Sequence, residues 1–202
     1  MARSTPGVTR QRIVDEAVRL FAANGYDATS VADIQTACGL AAGSGALYKH
    51  FPSKKALLEE IVKQHVELIA TGRRDVEPAI PDDPRAAVEL IGRAIWAAME
   101  SDRDPIRIIF RELDRYPDLM DQMWRGLLGG LYRTAAGWIR AGVRRGQLDV
   151  ADPDATAAVL LGSLTYYRIM HACVGHTPGD VAEEAYLTAW IDHAVSTLRV
   201  HR

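Results

Sequence analysis

The sequence predicts an all-α protein of about nine helices, in which a small amino-terminal unit precedes a larger helical body. Apolar residues recur every three or four positions along nearly all of the 202-residue chain, and no segment alternates as a strand would. A capping box at Ser30–Asp33 and a capping acid before a proline at Asp104-Pro105 and at Asp152-Pro153 mark the starts of three of the periodic segments. These segments are 9–24, 30–39, 44–51, 54–72, 84–101, 104–115, 118–145, 153–175 and 179–199.

Composition limits the cellular setting and suggests a partner for the first quarter of the chain. Charges or glycines interrupt every apolar stretch, so we expect no membrane partner, and the first residues do not resemble a secretory signal. We therefore expect a cytoplasmic protein. Residues 1–55 hold seven Lys and Arg against four Asp and Glu, whereas the remainder holds 17 against 22. This basic end indicates an anionic partner.

The glycine-rich stretch from Gly39 to Lys54 has two interpretations, a nucleotide-binding loop or the turn before a DNA-contacting helix. A phosphate-binding loop needs a Lys-Ser or Lys-Thr pair after its glycines and a strand before them, and this chain has neither. The dinucleotide pattern also fails, because Tyr48 stands where the third glycine belongs. The nucleotide interpretation is therefore disfavoured.

The DNA interpretation explains more of these residues. Leu47 and Phe51 are one helical turn apart and are expected to point inward together. The opposite face of this predicted helix suits the major groove, because it combines small residues with hydrogen-bond donors. Further phosphate donors are expected at the starts of the neighbouring helices. The predicted DNA-contacting residues are Thr29, Ser30, Ser44, Gly45, Ala46, Tyr48, Lys49, His50 and Lys54.

On these motifs the first quarter of the chain resembles the TetR family of transcriptional regulators. The resemblance lies in the order and spacing of three segments, Arg12–Tyr26, Thr29–Ile34 and Gly45–Leu58. It implies that residues 47–51 lie in the recognition helix and that Thr29, Tyr48, His50 and Lys54 hold phosphates. The turn between Gly39 and Tyr48 is two residues longer than the commonest family pattern, which weakens the assignment of base contacts to residues 44–46.

The resemblance also implies dimerisation through the last two helices and an effector site in the helical body. A largely apolar effector would meet aromatic and methionine side chains at helical spacing, although such residues are more often core. In the segment 118–145, one side carries Trp124, Leu128, Leu131, Ala135, Trp138 and Gly142. The predicted ligand-binding residues are Trp96, Met99, Phe110, Met123, Trp124, Leu128, Tyr166 and Met170. The predicted dimer-interface residues are Leu161, Leu164, Tyr186, Trp190, Ile191, Ala194 and Leu198.

Together these features predict a helix-turn-helix DNA-binding domain over residues 1–55 and an effector-binding and dimerisation domain over residues 56–202. The expected function is a homodimeric repressor that binds a palindromic DNA operator and is released by a small-molecule effector. No catalytic signature, cofactor motif or metal-ligand spacing is recognised. Two alternatives stay open: an all-helical small-molecule-binding protein or enzyme without DNA binding, and a DNA-packaging protein without sequence preference.

Overall fold

The computed structural model describes residues 6–41, 45–76, 80–112, 116–125 and 129–198. Over these residues the protein is all-helical, as predicted, with no strand. Single turns of 3-10 helix lie at Leu47–Lys49 and Pro178–Asp180. The α-helices are α1 (Pro6–Asn24), α2 (Val31–Ala37), α3 (Lys54–Val76), α4 (Pro84–Ser101), α5 (Arg103–Glu112), α6 (Pro117–Met123), α7 (Gly129–Arg144), α8 (Pro153–Val174) and α9 (Glu183–Thr197).

Several helix ends follow from local sequence signals. Gly25 ends α1 in a left-handed conformation with φ +89°, which glycine adopts without steric cost. The predicted capping box of α2 is confirmed: Ser30 Oγ accepts the Asp33 amide at 3.1 Å, and the Asp33 carboxylate accepts the Ser30 amide at 2.8 Å. Asp152 caps α8 by accepting two amides of its first turn. These ends agree with the sequence prediction.

Three other boundaries differ from the prediction. The segment expected to be one helix over 118–145 contains α6 and α7, and residues 126–128 between them lie outside the described residues. The last helix begins at Glu183 instead of 179, because Gly179 has φ +63° and interrupts it. Asp104 was expected to cap α5 but lies in its first turn, since that helix begins directly after Asp102.

The first buried cluster, called the head core, joins α1, α2, the turn at Leu47–Lys49 and the amino-terminal half of α3. It continues past residue 55, the predicted end of the first domain, to Val62. Glu112 of α5 also accepts the Tyr26 amide at 3.2 Å, which links α5 to the end of α1. The head core is therefore completed by side chains from α5 and α6, which are Ile108, Ile109, Leu119 and Met123.

The second buried cluster, called the body core, joins α4, α7, α8 and α9. Trp190 of α9 is fixed by its indole N–H, which donates to the Leu160 carbonyl at 3.0 Å. Its ring lies against Gly92 of α4, where an added Cβ would meet the ring at 2.6 Å. The close approach of α4 and α9 thus depends on a glycine at position 92.

Helix α8 corrects one expectation from the sequence. By length and composition alone it is apolar enough to span a membrane, whereas no such segment was expected. This test is weak evidence, because core helices of soluble proteins also pass it. In the fold, α8 contacts α4, α5, α7 and α9, and less than half of its apolar stretch is buried by these contacts.

Candidate nucleic-acid interface and ligand cavity

The predicted recognition helix is reduced to a single 3-10 turn at Leu47–Lys49. Gly45 precedes it with φ +65°, a left-handed conformation outside the helical region, and Pro52 follows it closely. A helix starting near Ser44 was expected, but residues 42–44 lie outside the described residues. Gly45 and Pro52 together limit the helical segment to this short turn, and the spacing of apolar residues alone did not reveal that limit.

Two apolar side chains anchor this turn in the head core, as predicted. Leu47 is fully buried, and Phe51 is 3% exposed. The Arg10 guanidinium lies over the Phe51 ring, with its Cζ 4.7 Å from the ring centroid. Arg10 also donates to Glu60 of α3 at 2.8 Å, and this hydrogen bond lowers the pKa of Glu60 to about 2. The turn is therefore held against both α1 and α3.

The outer side of the turn presents the donors that the sequence predicted there. Tyr48 is 55% exposed and Lys49 is also exposed, while Gly45, Ala46 and His50 are half-buried. The Tyr48 and Lys49 side chains have no hydrogen-bond or ion-pair partner among the described residues. A phenol and an ammonium group in this setting can donate to phosphate oxygens or base edges. These five residues are brought together on one short segment.

Lys54, predicted to hold phosphate, makes its contacts inside the protein. Its ammonium donates to the carbonyl of Tyr26 at 2.8 Å and to the carbonyl of Thr29 at 3.0 Å. It also lies 4.2 Å from the centroid of the Tyr26 ring, a cation–π distance. Lys54 thus joins the start of α3 to the connection between α1 and α2, and its hydrogen-bonding capacity is largely used there.

The two predicted contacts at the start of α2 are also engaged locally. Thr29 is 1% exposed, and its hydroxyl donates to the Gly25 carbonyl at 2.8 Å. Ser30 is exposed, but its hydroxyl donates to Asp33 at 2.7 Å, and the Ser30 hydrogen bonds lower the pKa of that carboxyl. Both side chains therefore fix the start of α2. The burial of Thr29 leaves its hydroxyl no direct route to a phosphate.

The helical body encloses a cavity of about 420 Å³ bordered by α3, α4, α7, α8 and α9. This volume lies within the range of about 300–1,000 Å³ typical of small-molecule sites. Of its 20 lining residues, 17 are apolar, and the polar ones are Ser101, Asp102 and Thr134. The apolar lining includes Leu68, Val88, Ile95, Leu131, Trp138 and Leu161. The site is suited to a mainly apolar ligand.

The residues predicted for ligand binding lie elsewhere. None of the seven that the structure describes lines this cavity, and Leu128 lies outside the described residues. Trp96 packs in the body core at 5.0 Å from the ring centroid of Tyr167, and Met123 packs in the head core. The surface-exposed members are Phe110, Trp124 and Tyr166, and the half-buried ones are Met99 and Met170.

The prediction chose aromatic and methionine side chains, whereas the cavity is formed mainly by aliphatic ones. The apolar side predicted for the segment 118–145 does supply three lining residues, Leu131, Ala135 and Trp138. Helical spacing identified this face but not the neighbours that it meets. The sequence analysis did not predict the polar lining residues. The one indication of a polar group in this region was His65, a titratable residue at an inner position of its helix.

His65 of α3 lies beside Asp102, which follows the last residue of α4 and lines the cavity. Their side chains are 4% and 10% exposed, and His65 Nδ1 is 3.7 Å from Asp102 Oδ2, too long for a hydrogen bond. Nδ1 has no hydrogen-bond partner among the described residues. Burial lowers the pKa of His65 and raises the pKa of Asp102, so both groups are shifted towards their neutral forms.

A cluster of three side chains resembles a metal site at the outer end of the body. Atoms of Glu100, His171 and Glu183 lie within 4.8 Å of one another. The buried guanidinium of Arg168 pairs with both carboxylates, at 3.0 Å from Glu183, and lies 4.2 Å from the centroid of the Trp96 ring. One guanidinium charge of the protein therefore already offsets one of the two carboxylate charges.

The residues predicted for the dimer interface point into the protomer. Six of the seven are buried in the body, and Tyr186 is half-buried, with its hydroxyl donating to the Ser163 carbonyl at 2.6 Å. The apolar stripe of α9 thus covers the protomer's own core. Helix α8 carries exposed apolar side chains, since Val159 is 62% and Tyr166 51% exposed and Val174 is also exposed; Phe110 and Trp124 are exposed elsewhere. Ala158, which neighbours Val159, is exposed as well.

Sequence comparison agrees with this division into a head and a body. A family model described as bacterial regulatory proteins, tetR family, matches residues 13–61. A second, described as the C-terminal domain of AefR-like transcriptional repressors, matches residues 87–199, which is more than half of the chain. The chain belongs to the TetR family. Proteins of this family are transcriptional regulators that bind DNA operators, typically as dimers that respond to small molecules.

Curated TetR-family relatives match parts of the chain. The uncharacterized regulator YerO of Bacillus subtilis is 32% identical over 95 residues, which cover 47% of this chain and 32% of YerO. The transcriptional repressor KstR2 of Rhodococcus jostii is 29% identical over 131 residues, covering 59% of this chain and 63% of KstR2. The matches therefore span between a third and two thirds of these relatives.

Solved structures of TetR-family proteins share the fold over nearly the whole chain. A tetR-family regulator from Rhodococcus RHA1 gives a TM-score of 0.75 at 19% identity, covering 98% of this chain and all of that one. GusR of Salmonella enterica gives a TM-score of 0.71 at 22% identity, covering 97% and 98%. At these identities the likeness concerns the fold alone.

Proposed function

We propose that the protein is a homodimeric repressor that binds a palindromic DNA operator in the cytoplasm and is released by a small, largely apolar effector. The observation that carries the proposal is the path of α3. Its first half packs in the head core beneath the exposed turn at Leu47–Lys49, and Leu68 in its second half lines the cavity. One continuous helix thus connects a DNA-facing segment to a ligand-sized space.

The proposed DNA contacts lie on the outer side of the turn. Tyr48, Lys49 and His50 supply donors, and Gly45 and Ala46 allow the backbone to approach DNA closely. Thr29, Ser30 and Lys54 act indirectly, because their contacts fix α2 and α3 on either side of the turn. Backbone amides at the start of α2 stay as further candidates for a phosphate.

Replacing Lys49 with alanine is expected to weaken DNA binding by a similar factor on all sequences and to reduce the salt slope by about 1. The reason is that its exposed ammonium has no partner in the described protein and can displace one counterion from DNA. Binding measured at several salt concentrations checks this. Lys63→Ala, which removes an exposed lysine of α3 paired with Glu67, is the control and should leave the slope unchanged. An unaltered slope in Lys49→Ala would exclude the phosphate contact.

The proposed dimer uses the exposed apolar face of α8, with α9 beside it. Val159 and Tyr166 lie two turns apart on the same face of α8. Gly162 lies between them on this face and allows another helix to approach closely. Two copies packed on this face would form a four-helix contact with twofold symmetry. Such a dimer can present two turns to half-sites about 34 Å apart on DNA.

Val159→Glu is expected to convert the dimer to a monomer, because the carboxylate would be buried without a partner in the apolar contact. The monomer should bind a palindromic operator at least about tenfold more weakly. Sedimentation and gel-shift measurements check the two effects. Ala23→Glu, an exposed change on α1, is the control and should stay dimeric. A Val159→Glu variant that is still dimeric would place the interface elsewhere.

Effector release follows from differential affinity for two arrangements of α3. A ligand that fits the cavity better when α3 is displaced favours an arrangement in which the two turns no longer match successive grooves. The ligand does not need to touch the DNA-binding segment, since α3 belongs to both sites.

Gel shifts on an operator selected from random DNA, compared with unselected DNA, test the proposed function. A repressor is expected to prefer the selected sequence by about 10³-fold or more at physiological salt. A DNA-packaging protein would bind both DNAs equally. A ligand-binding protein or enzyme without DNA binding, which the cavity alone would also suit, would shift neither.

A further inference from the structure

We infer that the ligand of the cavity is an apolar molecule whose one polar end is a hydrogen-bond-donating cation, such as a protonated amine, received by the Asp102 carboxylate. This inference specifies the chemistry of the effector and so rests on the proposed function. It rests on the positions of the polar groups in the cavity, on their charges and on their hydrogen bonding.

Apart from Thr134 of α7, the polar residues that line the cavity lie at the end of α4. Ser101 and Asp102 are consecutive residues at this end, while the lining residues earlier in α4, such as Val88 and Ile95, are apolar. A ligand that fills this space therefore has one end at which a polar group is accommodated. Its remaining surface lies against aliphatic side chains, Trp138, Trp190 and the single polar residue Thr134.

The electrostatics of that end favour a cation and disfavour an anion. The carboxylate of Asp102 stands at the carboxyl end of α4, where the helix dipole adds negative potential. No Lys or Arg occurs among the described residues that line the cavity. A carboxylate or phosphate on the ligand would therefore be buried opposite a carboxylate without a compensating charge.

The buried pair of His65 and Asp102 is incompletely satisfied within the protein. At this 3.7 Å separation His65 Nδ1 has no hydrogen-bond partner within the described part of the chain, and burial opposes the charged form of each group. A ligand ammonium in contact with Asp102 would favour its carboxylate form, which burial opposes, and could donate up to three hydrogen bonds. This contact lies beside His65 of α3, and α3 is the helix that reaches the head core.

Three nearly isosteric probes test the inference on the full-length protein without DNA: 2-(2-naphthyl)ethylamine, 2-(2-naphthyl)ethanol and 2-naphthylacetate. Calorimetric titration at neutral pH is expected to give the amine a Kd at least about tenfold lower than that of the acetate, with the alcohol between them. Asp102→Asn should reduce the ratio of amine to acetate affinity to about 1. Asp104→Asn, an exposed change two residues away, should keep the wild-type ratio.

The ranking of the probes on the unaltered protein does not depend on any variant, and thermal melting checks whether Asp102→Asn is folded. Equal binding of amine and acetate, preference for the acetate, or binding of none of the three would overturn the inference. A ratio unchanged in folded Asp102→Asn would do the same. The titrations contain no DNA and test only the ligand preference, whereas the gel shifts contain no ligand and test only the DNA preference. A negative result in one experiment therefore does not depend on the result of the other.

Discussion

Leu47→Ala is expected to lower the free energy of unfolding by about 3 kcal/mol and to abolish specific DNA binding. Leu47 is fully buried in the head core, and alanine there would leave a cavity beneath a single turn whose other apolar anchor is Phe51. The loss of this anchor would let the turn detach, so Tyr48 and Lys49 would no longer be held in a fixed position. Urea denaturation at constant protein concentration and gel shifts on the selected operator measure the two effects.

Two further variants separate anchoring from general damage. Leu47→Met keeps most of the buried volume and should cost less than about 1.5 kcal/mol while retaining DNA binding. Leu68→Ala removes a leucine that is 60% exposed, so its effect on unfolding should stay within about 0.5 kcal/mol. If Leu47→Ala bound the operator like the unaltered protein, the turn would not depend on this anchor.

Lys54→Met is expected to lower the free energy of unfolding by about 2 kcal/mol and to leave the salt slope of DNA binding unchanged. The methionine keeps an apolar stem but removes the ammonium that donates to the carbonyls of Tyr26 and Thr29. The connection between α1 and α2 would then lose its main link to α3. Denaturation and salt titration of the same variant measure both quantities.

This result would distinguish the structural role of Lys54 from the phosphate role that the family resemblance implied. A phosphate contact predicts the opposite pattern, with stability retained and the salt slope reduced by about 1. Lys55→Ala is the matched control, because the Lys55 side chain is 51% exposed and 3.7 Å from Glu59. An exposed pair of this kind contributes less than about 1 kcal/mol.

The sequence predicted the parts of the head that depend on local spacing. Leu47 and Phe51 are buried as their one-turn separation indicated, and Ser30 and Asp33 form the capping box. The internal role of Lys54 could not be predicted in the same way. Its partners are backbone carbonyls about 25 residues away in the chain, and the sequence does not show where loop carbonyls point.

The body was harder to predict because an apolar face does not reveal what covers it. The stripe of α9 containing Ile191 and Ala194 was assigned to a partner chain, yet it packs in the protomer's own core. The face left exposed is on α8, around Val159 and Tyr166. The cavity is harder to predict than either face, because it lies where the side chains of five helices do not meet. The helical periodicity of a single helix cannot show such a space.

The sharing of the head core with α5 and α6 limits how this protein can be divided. A fragment ending at residue 62 would keep the exposed turn at Leu47–Lys49 but expose the apolar surface that Ile108 and Leu119 cover. It would also lose the Glu112 acceptor for the Tyr26 amide. To graft the proposed DNA specificity onto another sensor, α5 and α6 must therefore be transferred together with the first three helices, as a discontinuous unit.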